Sequence, residues 1–373
     1  MKKLILSSIF LLVFCRIAGA ASLETGYFSD RELSASVISL NLDSFHVDTA
    51  YGLTLNADLS GKNYGLESVV NRYMEYDNGR FGIRYAPIEN MSFGYGLLLN
   101  DLSTAYYQPA FLTNDQSGLR VYYDFDSFIL EAMGTYSHLY GIRMKNLKFL
   151  NMDMGLEYLS DDTAATREGY GSRLFGGYAE LPVTDVISLF AESGNSSNGG
   201  EGSMAGVSAD YDFLFAFVKM SAASVSMNNK FVPGYFTTGY DIDPVELASL
   251  ETESVQRCGS MLNFDVGILG LVALDYCSEN YTDGGSANSG SFLFSPLDRL
   301  NITGFIKELS FSDFRPVKGK DSDIIGGTID YKLLNGLYAS LNYKKSLANE
   351  ELDLESDPLK PVETWYFKLG YQF

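Results

Sequence analysis

The chain is poor in the residues on which most site chemistry depends. Its 373 residues include two histidines, three cysteines and one tryptophan. There is no G-x-S-x-G, no Walker loop, no H-E-x-x-H and no C-x-x-C, so a nucleophile elbow, a P-loop and the common zinc sites are excluded. His46 and His138 each stand alone near an expected turn, His138 beside Ser137, and neither is set in a family motif. No catalytic residue, no cofactor and no metal is therefore expected. Basic residues are also scarce: 27 Lys and Arg face 47 Asp and Glu, a formal net charge of −20. Such a chain does not seek nucleic acid or an anionic membrane face. Long apolar runs are missing too, because past Phe14 nothing approaches the ~20 apolar residues of a spanning helix.

What is present is aromatic and small: 26 Tyr, 25 Phe and 36 Gly. Lys2 and Lys3, an apolar run from Leu4 to Phe14 and the small residues Ala18-Gly19-Ala20 read as a secretory signal over 1–20, with the mature chain from Ala21. The bulky Phe14 before Cys15 argues against lipoprotein processing. Removing Lys2, Lys3 and Arg16 takes the charge to −23.

Periodicity decides the fold class. From Val47 to Leu59, aliphatic and aromatic residues at odd positions oppose Asp48, Gly52, Asn56 and Asp58. The same alternation returns at Phe81–Tyr85 with Arg84 turned inward, at Met91–Asn100, at Leu150–Tyr158 and at Leu337–Lys344. The last nine residues alternate without a fault, with Trp365, Phe367, Leu369, Tyr371 and Phe373 on one face. A period of two means strands with one apolar and one wet side, whereas helices would space their apolar residues by three and four. No second periodicity marks a helical layer or another domain.

The terminal strand ending in Phe373 resembles that of a Gram-negative outer-membrane β-barrel. The resemblance implies an all-β, transmembrane, antiparallel up-and-down barrel over 21–373. It also implies a final strand read by the barrel-assembly machinery, and outer-membrane lipid and lipopolysaccharide as surroundings. Connections alternate in length as such barrels require. Short turns are expected at Asp43-Ser44, Pro87–Asn90, Asp124–Ser127, Asn146–Lys148, Pro182–Asp185, Tyr211–Phe213, Gly267–Leu269, Pro296–Arg299 and Leu334–Gly336. Longer polar segments lie at 60–79, 101–117, 160–171, 194–202, 222–258, 279–290, 308–322 and 347–363. With a first strand near Leu23–Phe28 and a tight turn at Tyr136–Leu139 the count is twenty, eighteen being the alternative.

The inward positions then carry acids Asp48, Asp58, Glu131, Asp153, Glu157, Asp265, Asp275 and Asp330 against bases Arg84, Arg120, Lys219, Lys307, Lys332, Lys344 and Lys368. This near balance makes a wet, mixed lumen. The surplus acid falls in loops, notably Asp241–Glu253 and Glu350–Asp357, which read as solvated faces or as hard-oxygen ligands for shared divalent ions. Asp243-Pro244 starts a short helix whose Val245, Leu247 and Leu250 need covering, by the lumen or by a neighbour, and Phe231–Phe236 could serve either role. Cys258 and Cys277 flank the turn at 267–269 almost symmetrically, so a disulfide is expected if a one-residue bulge aligns them.

The function expected is a porin-like channel for small hydrophilic solutes, since a barrel this wide cannot be filled by side chains. The alternatives are a surface barrel acting through its acidic loops in adhesion or partner binding, and a substrate-specific uptake barrel. A homo-oligomer is compatible with the sequence, but no residue stripe marks a subunit contact.

Overall fold

A computed structural model of the chain describes residues 20–29, 34–46, 49–58, 69–88, 91–100, 102–104, 117–135, 138–161, 172–228, 230–231, 233–234, 236–237, 256–282, 286–307, 324–334, 336–348 and 360–372. Asp48 and Phe373, both acidic loops and the expected helix from Asp243 lie outside them. So does the signal segment before Ala20.

The strands are β1 (Ala20–Ser29), β2 (Ser34–His46), β3 (Thr49–Asp58), β4 (Val69–Asp77), β5 (Phe81–Pro87), β6 (Leu99–Asn100), β7 (Ser117–Asp124), β8 (Ile129–Thr135), β9 (Leu139–Phe149), β10 (Met152–Asp161) and β11 (Ser172–Pro182). They continue with β12 (Ile187–Ser196), β13 (Glu201–Asp212), β14 (Ala216–Asn228), β15 (Phe236–Thr237), β16 (Gln256–Ile268), β17 (Val272–Tyr281), β18 (Ser286–Leu297), β19 (Leu300–Lys307), β20 (Ile324–Leu334), β21 (Leu337–Ala348) and β22 (Lys360–Gln372). All but β6 and β15 form one sheet of 20 strands in which each pairs antiparallel with its neighbours in sequence. β1 closes the ring on β22, from Ser22↔Gln372 to Ser29↔Trp365. Closure leaves the wall no open edge. Both chain ends of the wall sit at one rim, here called the terminal end, and the other rim is the far end.

Alternation works as the sequence implies. Exposed Tyr27, Ile142, Leu189, Leu262, Phe292, Leu341 and Phe367 point outward from the wall. Trp365, Leu369 and Tyr371 share that outer face with Phe367. Inward tyrosines lie across glycines of the adjacent strand, Tyr178 over Gly155 and Tyr338 over Gly370, where a Cβ would run into the ring.

The strand number equals the expected one through two errors that cancel. The segment 60–79, read as a loop, contains β4. Met91–Asn100, read as a wall strand, is not in the wall: β5 pairs directly with β7, Phe81↔Tyr123 to Pro87↔Ser117, and Met91–Asn100 lies inside the barrel. Pro87–Asn90 is accordingly not a wall hairpin. Two further turns move. β2 runs through Asp43 and Ser44 to His46 opposite Thr49, and Asn146–Lys148 lies within β9. There Asn146 takes φ 62° at a bulge opposite Met154–Leu156, a local signature that a bulge and a turn share. The first strand and the tight far-end turn before Leu139 are as expected, with His138 at φ 67° and its N–H donating to the Thr135 carbonyl at 3.2 Å.

The disulfide is not formed. β16 extends to Ile268, so its turn with β17 starts two residues later than expected, and Cys277 pairs with Asn263 while Leu262 faces Ser278 and Phe264 faces Tyr276. Cys258 is exposed on the outer face, Cys277 is half-buried on the inner face, and no disulfide joins them. Denatured, unreduced protein purified without reductant is expected to titrate as two thiols per chain, and its gel mobility should not change on reduction.

Candidate functional site

Residues 88, 91–100 and 102–104 form a compact hairpin inside the barrel. Met91 and Leu102 exchange backbone hydrogen bonds at 2.9 and 2.8 Å, the Phe93 N–H donates to Leu99 at 3.0 Å, and the Thr104 N–H donates to Ile88 at 2.8 Å. Gly94 and Gly96 take positive φ, +51° and +95°, which lets the tip reverse where other residues would be strained. Phe93, Leu97, Leu98, Leu99 and Leu102 are fully buried. They pack on inward wall residues that break the rule of a wet lumen: Met133, Leu139, Leu159, Leu174, Phe190, Met204, Val225, Met227, Met261 and Tyr281. Each buried aliphatic or aromatic side chain contributes about 1.5–3 kcal/mol, which holds the hairpin against the wall.

The segment after β14 joins this core. Phe231 is fully buried in it, the Gly234 N–H donates to Leu97 at 2.8 Å, and β15 pairs in parallel with β6. Of the two roles open to Phe231–Phe236, the lumen is the one it takes.

Charged side chains anchor the hairpin from below. Glu192 of β12, almost fully buried, accepts the Tyr95 N–H at 2.6 Å and the Leu97 N–H at 3.2 Å. A buried carboxyl group taking two backbone N–H groups at a loop tip is a clamp, since those donors have no water to turn to. Tyr95 stacks on Phe190 with centroids 3.7 Å apart, and burial, reinforced by its hydrogen bond to Glu180, holds its phenol well above the ordinary tyrosine range. Arg143 of β9 donates to the Ser92 carbonyl at 2.9 Å and sits over the Phe93 ring at 4.7 Å. Asn100 donates to Glu279 of β17 at 2.9 Å. A Cβ on Gly94 would fall 2.9 Å from both Glu157 and Glu192 oxygens, so these carboxylates converge on the tip.

Beside the hairpin Glu131 gathers three cations: Arg120 at 2.6 Å, Arg143 at 2.7 Å and Lys145 at 3.2 Å. Glu75, Arg84, Arg120, Tyr122 and Glu131 line a cavity of about 200 Å³. Glu157, opposite Arg143 in the ladder, has both oxygens buried without a hydrogen-bond partner among the described residues, as has Oδ1 of Asp153.

The expected lumen residues fall into three groups. Arg84, Arg120, Glu131, Asp153 and Glu157 are at or near the hairpin. Lys219, Asp265 and Asp275 follow one another across β14, β16 and β17, with Lys219 on Asp210 at 3.1 Å. Asp330, Lys332, Lys344 and Lys368 lie on β20–β22, Lys368 reaching Glu24 at 3.3 Å. Asp58 and Lys307 are in β3 and β19, their side chains outside the described residues. Sequence reasoning missed Arg143, Lys145, Glu180 and Glu192. The first two were legible, since they alternate with the outward Tyr140, Ile142 and Met144. His138 is exposed, and its ring Nδ1 lies 3.4 Å from the Tyr140 hydroxyl.

Wall and hairpin together define a closed antiparallel β-barrel of the outer-membrane type, narrowed from within. No family model and no curated protein matches the chain. Solved structures similar to it include OccK8 (OprE) of Pseudomonas aeruginosa, 8% identical, TM-score 0.43, covering 95% of this chain and 97% of that one. OccK2 (OpdF) of the same organism is 8% identical with TM-score 0.45 and coverage of 95% and 96%. OccAB2 of Acinetobacter baumannii is 11% identical with TM-score 0.41 and coverage of 95% and 97%.

Proposed function

We propose that the chain is a channel in the outer membrane of a Gram-negative bacterium, passing small hydrophilic solutes by diffusion and carrying out no enzymatic step. The observation that carries this reading is the eccentric position of the hairpin. Its apolar core packs on the wall from β8 to β17, and the facing wall presents Ser22, Asn41, Thr328, Asn342 and Lys368 to the interior. A wall of twenty strands is too wide for one hairpin to fill, so a water path runs between the hairpin and the polar half. Selectivity then follows the charges at the narrowing.

Conductance across a planar bilayer tests this. Steady openings of water-filled size are expected, and their absence from folded protein, judged by heat-modifiable gel mobility, would favour a surface barrel acting through its loops. Block by one solute class alone would move the reading to specific uptake. Lys344→Gln combined with Lys368→Gln, on the polar half of the wall, is expected to shift the reversal potential in a salt gradient toward cation preference; an unchanged potential would remove both residues from the path.

A further inference from the structure

The terminal end carries a local greasy patch that a rim facing water does not need. The β13–β14 turn is Phe213-Leu214-Phe215, with Leu214 fully exposed, and the neighbouring β16–β17 turn is Leu269-Gly270-Leu271, with Leu269 65% exposed. Flanking turns are mixed, Val183-Thr184-Asp185 on one side and Leu297-Asp298-Arg299 on the other, each with one exposed aliphatic residue beside polar ones. Across the barrel Arg80 of the 78–80 turn pairs with Asp126 at 3.2 Å in the open, and apolar side chains stand out on other turns of this rim only at Phe125, Leu150 and Leu334 among the described residues.

The outer face above the patch explains what covers it. Outward residues of β14 are apolar from Ala216 to Ala222 and turn polar at Ser224, and those of β16 are apolar from Ile268 up to Leu262 and turn polar at Ser260. At the usual strand tilt these stretches rise about 15 Å, short of the ~25 Å apolar band of such barrels. The shortfall lies where the two turns project. The patch is also continuous with the outer face: the rings of Tyr211 and Phe213 pack at 4.2 Å, and Ile268 and Val272 are exposed beside Leu269. Leaving such side chains in water forgoes about 1.5–3 kcal/mol apiece.

We propose that the Phe213–Phe215 and Leu269–Leu271 turns are immersed in the acyl-chain boundary of the membrane leaflet at the terminal end, completing the apolar band in that sector. The occupant is lipid, not a second protein. The proposal rests on the membrane reading given above.

Tryptophan reporters in reconstituted vesicles separate the two ideas. Trp365, the only native tryptophan, reports insertion in the unmodified protein. Leu214→Trp and Arg80→Trp, each in a Trp365→Phe background, report the two sides of the rim, with Leu271→Trp as a second reporter should Leu214→Trp not fold. Leu214→Trp is expected to emit to the blue, to be quenched by lipids brominated on the acyl chain at least as strongly as Trp365, and to resist aqueous acrylamide. Arg80→Trp is expected to show the reverse. Acrylamide quenching of Leu214→Trp while Trp365 answers to brominated lipid would overturn the proposal and leave the membrane reading standing. Protection from both quenchers would overturn lipid as the occupant. Failure of brominated lipid to quench Trp365 itself would remove both readings.

Discussion

Glu131→Gln is expected to cost about 3 kcal/mol of folding stability, toward the low end for one partner of a buried ionic cluster. The Glu131 side chain is 3% exposed and is the common acceptor of Arg120, Arg143 and Lys145. Glutamine keeps the shape but removes the charge that the three cations share, and its amide presents N–H groups to them. The estimate sits low because Arg120 and Lys145 still reach water, 39% and 28% exposed. Urea unfolding in detergent micelles measures the loss. Lys219→Ala, which breaks an exposed pair with Asp210, is the comparison and should cost less than about 1 kcal/mol. Equal behaviour of the two variants would mean that Glu131 is no hub.

The second large effect is expected in conductance. Glu192→Ala removes the acceptor for the Tyr95 and Leu97 N–H groups and leaves both without a partner at the tip. Two buried backbone donors left unsatisfied cost roughly 1–3 kcal/mol each, at least about 2 kcal/mol together, so the ratio of released to docked hairpin rises by about thirtyfold or more. Single-channel records should show larger and noisier openings, and Glu192→Gln, which retains an acceptor, should fall between. Unchanged openings in Glu192→Ala would show that Phe93, Leu97, Leu98 and Leu99 hold the hairpin without the clamp.

The wall was legible in the sequence because its physics is one-dimensional: a strand between lipid and water must alternate, and β10, β21 and β22 do so. β4 hid because its ladder with β3 slips, Thr54 meeting Tyr73 while Leu55 meets Asn71, so the period breaks inside the strand. The hairpin passed for a strand because Phe93, Leu97 and Leu99 repeat at even spacing while their apolar side faces other protein rather than lipid. Leu98, apolar on the supposedly wet face, is the residue that did not fit. The better signal lay elsewhere, in Phe190, Met204, Val225 and Met227, apolar side chains at inward positions of adjacent strands near the same rim. Greasy residues on a wet face imply something that covers them, but their common height appears only after the register is known. The Glu192 clamp was out of reach for the same reason: its partners are backbone groups 95 residues or more away. The cysteine pairing failed on a two-residue error in one turn, since register sums carry such errors the whole length of a hairpin.

Water on the inner side of the wall competes for the hydrogen bonds of the strand ladder. Where Tyr338 lies on Gly370 and Tyr366 on Gly26, a flat ring takes the place of that water and shields the backbone beneath it. The phenolic oxygen at the ring's rim keeps the surface hydrophilic. Such patches act as tiles: solution wets their edges, and the calibre of the passage there follows the thickness of an aromatic plane instead of the length of a side chain.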